Sequence, residues 1–152
     1  MNSIEQQIWG FTPEGEAVVR YTMTNAGGAS VVLSNIGAGI IAVNVPDRNG
    51  KLANVALGYD RFESYFGDGP YMGKTPGRFA NRIGEGRFTL DGKEYRLAQN
   101  SGGQHLHGGL KGFANKVWTG RVETDRVVFS LVSPDGDDKY PGEVTVEVCY
   151  DW

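Results

Sequence analysis

Glycine is the residue that most restricts how this chain can fold. The 152 residues include 23 glycines, which separate short segments of alternating apolar and polar residues. Glycine adopts the positive φ angles of tight turns at little cost, and alternation with a period of two gives a strand one apolar face. Short alternating segments between frequent turns are typical of antiparallel sheets. The sequence therefore predicts an all-β protein with the architecture of an antiparallel β-sandwich.

Nine segments combine this alternation with flanking turn residues. They are residues 16–24, 30–36, 39–45, 54–58, 87–90, 94–97, 117–123, 126–132 and 143–150. Asp91-Gly92 between two of them predicts a tight hairpin turn. A helix of about two turns is predicted after Asp60, which can cap it with Glu63 three residues on.

Composition limits the domain count and the class of partner. At 39% apolar residues, a chain of this length buries one core, so we expect a single domain over residues 1–152. A formal net charge of -3 with interspersed charges gives no basic face, which argues against nucleic acid. Neither a signal peptide nor an apolar stretch of membrane-spanning length is evident, so we expect a cytoplasmic protein without membrane contact.

The residue types that bind metals or form disulfides are few. Cys149 is the single cysteine and lies among strand-forming residues, so we expect it to be buried and inert. The two histidines lack carboxylates at a recognisable zinc spacing, which argues against a metal site. The tract 135–138 holds three carboxylates without the ligand spacing of a calcium loop, and we interpret it as a solvated turn.

Asn81 and Arg82 stand beside glycine-rich turns and form the first candidate site. Arginine offers a fixed fork of donors, while asparagine offers both a donor and an acceptor, which together suit adjacent hydroxyls of a pyranose ring. Polar side chains near such turns often converge on a pocket. From the residues alone, a structural turn with a surface guanidinium remains the alternative.

His107 is the second candidate, two residues after His105. Residues two apart share a face of a strand, so strand geometry does not separate the two histidines. Gly108 and Gly109 follow His107 and permit close backbone approach, which favours His107 as the ligand-binding residue. Histidine suits proton transfer near neutral pH, although a purely structural role is equally compatible with its position.

Three motifs follow one another along the chain in a fixed order and spacing. They are Gly77-Arg78-Phe79-Ala80-Asn81-Arg82-Ile83, Phe88-Thr89-Leu90-Asp91-Gly92-Lys93-Glu94-Tyr95 and Leu106-His107-Gly108-Gly109. As a set, they resemble the N-terminal half of the aldose 1-epimerases, or galactose mutarotases. The resemblance covers nearly the whole chain and implies a galactose mutarotase-like supersandwich, here incomplete because the chain is well short of the family's usual length.

The resemblance also implies an activity and the residues that perform it. Members interconvert the α and β anomers of free hexoses such as galactose and glucose through an acid and a base, without a metal or organic cofactor. By similarity, Asn81, Arg82 and His107 bind the sugar, and His107 also takes part in catalysis. The resemblance thus predicts a hexose as the partner of this chain.

Other interpretations stay open because the family's principal acid histidine and general-base glutamate lie in later segments without a counterpart here. The chain could be a carbohydrate-binding module without a proton relay, or a truncated fragment. An open sheet edge at its end would favour self-association. A phosphorylated sugar is a further alternative, since Arg82 could bind a phosphate.

Overall fold

Antiparallel strands account for most of the regular structure in the computed structural model, which describes residues 2–67 and 69–152. The strands, in chain order, are β1 (Ser3–Phe11), β2 (Ala17–Thr24), β3 (Ser30–Ser34), β4 (Gly39–Pro46), β5 (Leu52–Asn54), β6 (Arg82–Ile83), β7 (Arg87–Leu90), β8 (Lys93–Arg96), β9 (His105–Leu106), β10 (Thr119–Glu123), β11 (Arg126–Ser133) and β12 (Val144–Asp151). Short 3₁₀ helices span Phe62–Tyr65, Gly84–Gly86, Phe113–Asn115 and Asp137–Lys139. The predicted all-β class is confirmed.

The strands form two larger sheets and two short pairs. Strands β1 to β5 pair in sequence order, and β10, β11 and β12 form a second antiparallel sheet. Strand β6 pairs with β9, and β7 pairs with β8 through the Asp91-Gly92 turn. Both turn residues have positive φ angles, 51° and 76°, as a two-residue hairpin of type I′ requires.

The main core lies between the two larger sheets. Tyr21 and Met23 of β2 pack in one cluster with Val127 and Phe129 of β11. The Tyr21 and Phe129 rings meet edge to face at a centroid distance of 5.3 Å. Burial of one such aromatic or aliphatic side chain stabilises the folded state by about 1.5–3 kcal/mol. The packing of these side chains therefore stabilises the contact between the two sheets.

A smaller cluster covers the opposite face of the five-stranded sheet. Val18 and Ile36 pack there against Tyr65, which is fully buried in the 3₁₀ helix Phe62–Tyr65. The predicted two-turn helix is wrong in length and in its cap. The helix has a single turn that begins after Arg61 without a side-chain cap bond. The backbone at Phe66 is extended, which ends the helix. The rings of Phe62, Tyr65 and Phe66 pack in the cluster with Val18 and Ile36.

Several strand predictions need correction. The segment 54–58 overlaps β5 only at Asn54, and the edge strand β1 was not predicted. The polar residues at 5–7 interrupt the alternation in β1, whereas its pairing with β2 and the packing of Ile4 and Trp9 hold it in the sheet. Cys149 lies in the predicted strand but is exposed, since alternation along β12 directs Val148 and Tyr150 to the core instead.

Two further observations concern edges and membranes. Strand β12 forms one edge of its sheet. Self-association through this edge stays a prediction. Within residues 2–67 and 69–152, no helix has the length and apolarity needed to cross a membrane.

Replacement of Val127 by Ala tests the packing between the two sheets. Val127 is fully buried, so we expect a loss of about 2 kcal/mol in the free energy of unfolding, measured with urea. Val122→Ala in β10 is the matched control because Val122 is 44% exposed. A loss of under about 0.5 kcal/mol is expected there. Equal losses for the two variants would contradict the described sandwich.

Candidate functional site

The β6–β9 pair brings the two predicted polar clusters together. Arg82 lies opposite Leu106 in this short ladder, and Ile83 lies opposite His105. At its end, the main-chain N–H of His107 donates to the carbonyl of Asn81 at 3.1 Å. The main-chain N–H of Asn81 in turn donates to Nδ1 of the His107 ring, also at 3.1 Å. Asn81, Arg82 and His107 therefore form one cluster, although the motifs are separate in sequence.

The side chains of this cluster are accessible. Asn81 and Arg82 are exposed, and His107 is half-buried. Arg82 donates from Nη1 to Oδ1 of Asn81 across 3.5 Å, a long and weak bond. Since a guanidinium carries five N–H donors, Arg82 keeps most of its hydrogen-bonding capacity for a ligand.

Tyr71 joins the cluster and was not singled out from the sequence. Its ring lies 5.2 Å from the His107 ring at an interplanar angle of 58°. Tyr71, Asn81 and His107 all have positive φ angles, of 55°, 68° and 49°. Left-handed backbone costs a residue with a Cβ about 1–2 kcal/mol, and such strain concentrates at functional sites. In the sequence, Tyr71 is one of several aromatic residues that could stack on a sugar, and none of them is favoured individually because aromatic residues in strands usually belong to the core.

His105 has a different environment, which separates the two histidines. It is fully buried, its Nδ1 lies 2.6 Å from the carbonyl oxygen of Ala98, and its Nε2 lies 2.6 Å from the Tyr140 hydroxyl. Burial, with the nearby charge of Asp138, raises the pKa of Tyr140 to about 12. Both ring nitrogens of His105 are thus used inside the protein. His105 links β9 to the loop that contains Tyr140.

Asn100 fixes the backbone on both sides of His107. Its side-chain amide donates to the carbonyls of Leu106 and Gly109 at 2.9 and 3.0 Å, and its Oδ1 accepts from the Leu106 N–H at 2.7 Å. One side chain therefore holds the residue before His107 and the turn after it. A lone asparagine in a loop carries no sequence signal for this role.

Gly108 and Gly109 pack against backbone and side chain that leave no room for a Cβ. A Cβ on Gly108 would lie 1.5 Å from the Gly77 carbonyl oxygen, and one on Gly109 would lie 2.3 Å from Oδ1 of Asp138. The φ angles of Gly108 and Gly109 are 90° and 100°. The turn after His107 therefore requires glycine at both positions.

Arg78 and Asp138 connect the loop 133–142 to the segments that contain the candidate site residues. Arg78 donates to Oγ and the carbonyl oxygen of Ser133 at 3.0 and 2.9 Å. The Asp138 carboxylate accepts from the main-chain N–H groups of Leu110 and Lys111 at 2.7 and 3.0 Å. The interpretation of 135–138 as a solvated turn is therefore wrong for this carboxylate, which instead joins two loops.

Asp137 is a second carboxylate of this tract with internal partners. It accepts from Lys116 Nζ at 2.7 Å and from Ser133 Oγ at 2.6 Å. Burial alone would raise the pKa of Asp137, but the bonds from Lys116 and Ser133 outweigh burial and lower the pKa. No group of three or more potential metal ligands occurs among residues 2–67 and 69–152.

An apolar pocket of about 440 Å³ adjoins Arg82. Its lining residues are Phe79, Arg82, Ile83, Phe88 and Tyr140. Arg82 is therefore shared between this pocket and the cluster with Asn81 and His107, so a ligand held by its guanidinium would have apolar surface at one side.

Comparisons with known proteins identify the family. The sequence profile of aldose 1-epimerase matches residues 19–151. Over 150 residues, or 99% of the chain, the galactose mutarotases of Bos taurus and Homo sapiens are 45% and 41% identical. The aldose 1-epimerase of Escherichia coli K12 is 34% identical over 91% of the chain. The chain therefore belongs to the aldose 1-epimerase family.

Solved structures agree in fold and in coverage. Galactose 1-epimerase from Lactobacillus acidophilus superposes on 99% of this chain with a TM-score of 0.84 at 26% identity, and the chain covers 45% of it. An aldose epimerase homologue from Caenorhabditis elegans gives a TM-score of 0.78 at 30% identity, with 42% covered. The chain also spans 44% of the bovine galactose mutarotase. It thus spans less than half the length of these relatives and matches their N-terminal half.

Asn100→Asp tests the support beside His107. The change places a carboxylate oxygen opposite the Leu106 and Gly109 carbonyls, so we expect a loss of about 1–3 kcal/mol in the free energy of unfolding in urea. Asn49→Asp makes the same chemical change at an exposed turn and is the control. Similar losses for both variants would show that Asn100 does not have the assigned role.

Asp137→Asn tests the sign of the acid dependence of stability. A folded-state pKa below the ordinary value stabilises the fold above the unfolded-state pKa, and this contribution is lost as pH falls through the folded-state pKa. The variant should therefore be less stable than the parent at pH 7, with the difference shrinking toward pH 3 in urea titrations. Asp125→Asn, on the exposed turn between β10 and β11, controls for the loss of one charge. A difference that grows toward pH 3 would refute the assignment.

Proposed function

We propose that this chain supplies the sugar-binding half of an aldose 1-epimerase site that acts on free hexoses such as galactose or glucose. The observation that carries the proposal is the convergence of Asn81, Arg82 and His107 at the β6–β9 pair, in a chain of this family. Membership of the family alone would leave the location of the sugar undefined. The cluster supplies a location with accessible donors and acceptors.

The chemistry of the cluster suits a pyranose. Arg82 offers several N–H donors to neighbouring hydroxyl oxygens, and Asn81 offers both a donor and an acceptor. Tyr71 presents an aromatic ring beside His107, where C–H groups of a sugar could pack. A sugar whose hydroxyl groups are held at two or more points has a defined orientation. A defined orientation is the first requirement for breaking the bond between C1 and the ring oxygen.

The proposed reaction proceeds through the open-chain aldehyde. A base takes the proton from the C1 hydroxyl, an acid gives a proton to the ring oxygen, and the bond between C1 and the ring oxygen breaks. Rotation of the C1 aldehyde and the reverse steps give the other anomer, so atoms and charge balance without a cofactor. The acid and the base act at opposite ends of the hemiacetal, and two positioned groups are therefore needed.

Titration with D-galactose, followed by calorimetry, tests the proposed binding site. We expect saturable binding by the chain and a loss of about tenfold in affinity for Arg82→Ala, equivalent to about 1.4 kcal/mol. Arg48→Ala removes the same charge from the exposed turn between β4 and β5 and is the matched control. Equal affinities for the two variants would remove Arg82 from the site.

Two additional measurements separate the alternative functions. Optical rotation of fresh α-D-galactose with the chain reports on catalysis, with His107→Ala and buffer as controls. Acceleration that His107→Ala abolishes supports a complete relay, whereas binding without acceleration supports a carbohydrate-binding half-site. A strong preference for galactose 6-phosphate over galactose in the titration would contradict the proposal of free hexoses.

A further inference from the structure

We propose that Asp138 is a positioning residue of the sugar site, because its carboxylate holds the turn that follows His107. Asp138 acts through this turn and is assigned no contact with the sugar. The proposal rests on the proposed function for the identity of the ligand. It deepens that function by making the sugar affinity of the cluster depend on a residue of the loop 133–142.

The Asp138 carboxylate binds two consecutive main-chain N–H groups. Its Oδ1 accepts from Leu110 at 2.7 Å, and its Oδ2 accepts from Lys111 at 3.0 Å. Hydrogen bonds to a charged acceptor are about twice as strong as bonds between neutral groups. Leu110 is 66% exposed and Lys111 is also exposed, so packing of their side chains does little to hold them. The carboxylate is therefore a main support of this part of the turn.

Gly109 connects the carboxylate to the residues around His107. A Cβ on Gly109 would lie 2.3 Å from Oδ1 of Asp138, so the carboxylate packs directly against the backbone of the turn. The Gly109 N–H donates to the carbonyl of Leu106 at 3.1 Å, and Leu106 is the residue before His107. A displacement of the carboxylate would therefore change the turn that begins at His107.

The segment 138–140 contacts the chain on both sides of His107. Before His107, the Tyr140 hydroxyl lies 2.6 Å from Nε2 of His105, and the Asp138 carbonyl accepts from the Ala98 N–H at 3.2 Å. After His107, the support comes from the Asp138 carboxylate. One short segment thus determines the path of the chain into and out of the proposed site.

The loop 133–142 is itself held in place, so that Asp138 has a fixed position. Arg78 donates to three carbonyl oxygens at the two ends of the loop, at 2.9, 2.9 and 3.1 Å, which belong to Ser133, Pro134 and Pro141. Lys116 forms an ion pair with Asp137 at 2.7 Å. Because both ends and the middle of the loop are bound, the loop can act as a support for the turn after His107.

Asp138→Asn is the variant that isolates the carboxylate. Asp138 has a φ angle of 46°, and Asn tolerates left-handed backbone, so the variant keeps the conformation of the loop. It replaces one carboxylate oxygen by an NH₂ group, which cannot accept from a main-chain N–H. Asp125→Asn at the exposed turn between β10 and β11 removes the same charge elsewhere. Val127→Ala, in the core between the larger sheets, controls for a general loss of stability.

Titrations of D-galactose, followed by calorimetry, test the effect on the site. We expect Asp138→Asn to lose about threefold to tenfold in affinity, while Asp125→Asn and Val127→Ala stay within about twofold of the parent. A purely structural residue would affect affinity no more than Val127 does. Unchanged affinity in Asp138→Asn, or an equal loss in Val127→Ala, would overturn the proposal.

Spectra of the ¹⁵N-labelled chain without sugar test the positioning itself. In Asp138→Asn we expect the amide hydrogens of Leu110 and Lys111 to exchange about tenfold faster and the His107 ring signals to shift. The His105 ring signals should stay in place, because Ala98 and Tyr140 still hold that ring. Unchanged His107 ring signals would overturn the proposal. If the parent chain binds no galactose, the proposed function fails, and these spectra still decide whether Asp138 positions the turn.

Discussion

The paired hydrogen bonds between Asn81 and His107 are the interaction on which the site depends. One joins main chain to main chain, and the other joins the Asn81 N–H to the His107 ring. Strands β6 and β9 contain only two residues each, so their ladder alone would hold the two motifs weakly. The bond to the ring adds a side-chain contact at the end of the ladder. It joins the main chain of Asn81 to the side chain of His107.

The hydrogen bonds between Asn81 and His107 also explain how both residues keep positive φ angles. Asn81 and His107 adopt left-handed backbone that favours glycine, and they retain it because hydrogen bonds and close packing determine their positions from several directions. Gly108 and Gly109 allow the following turn to lie against Gly77 and Asp138. Hydrogen bonds among these loops thus offset the cost of the positive φ angles.

Part of this account could be predicted from the sequence. Turn glycines and alternation gave the all-β class, and three ordered motifs gave the family. The exposure of Cys149 was also within reach, since Val146, Val148 and Tyr150 alternate with it and occupy the core. The edge strand β1 was missed because its polar residues at 5–7 interrupt the alternation, and its pairing with β2 and the packing of Ile4 and Trp9 are visible only in the fold.

The contact between Asn81 and the His107 ring and the role of Asn100 could not be predicted, because each depends on segments that only folding brings together. The same holds for the distinction between the two histidines. The glycines after His107 favoured that histidine in the sequence, whereas the burial of His105 against Ala98 and Tyr140 is visible only in the fold. Sequence motifs located the cluster, and the directions of individual hydrogen bonds define its chemistry.

A chemical-shift titration of the ¹⁵N-labelled chain with D-galactose tests the central claim most directly. The account predicts saturable changes centred on the main-chain amides of Asn81, Arg82 and His107 and on the His107 ring. Changes confined to other parts of the sandwich, or none up to high galactose concentration, would contradict the claim that these residues form a sugar site.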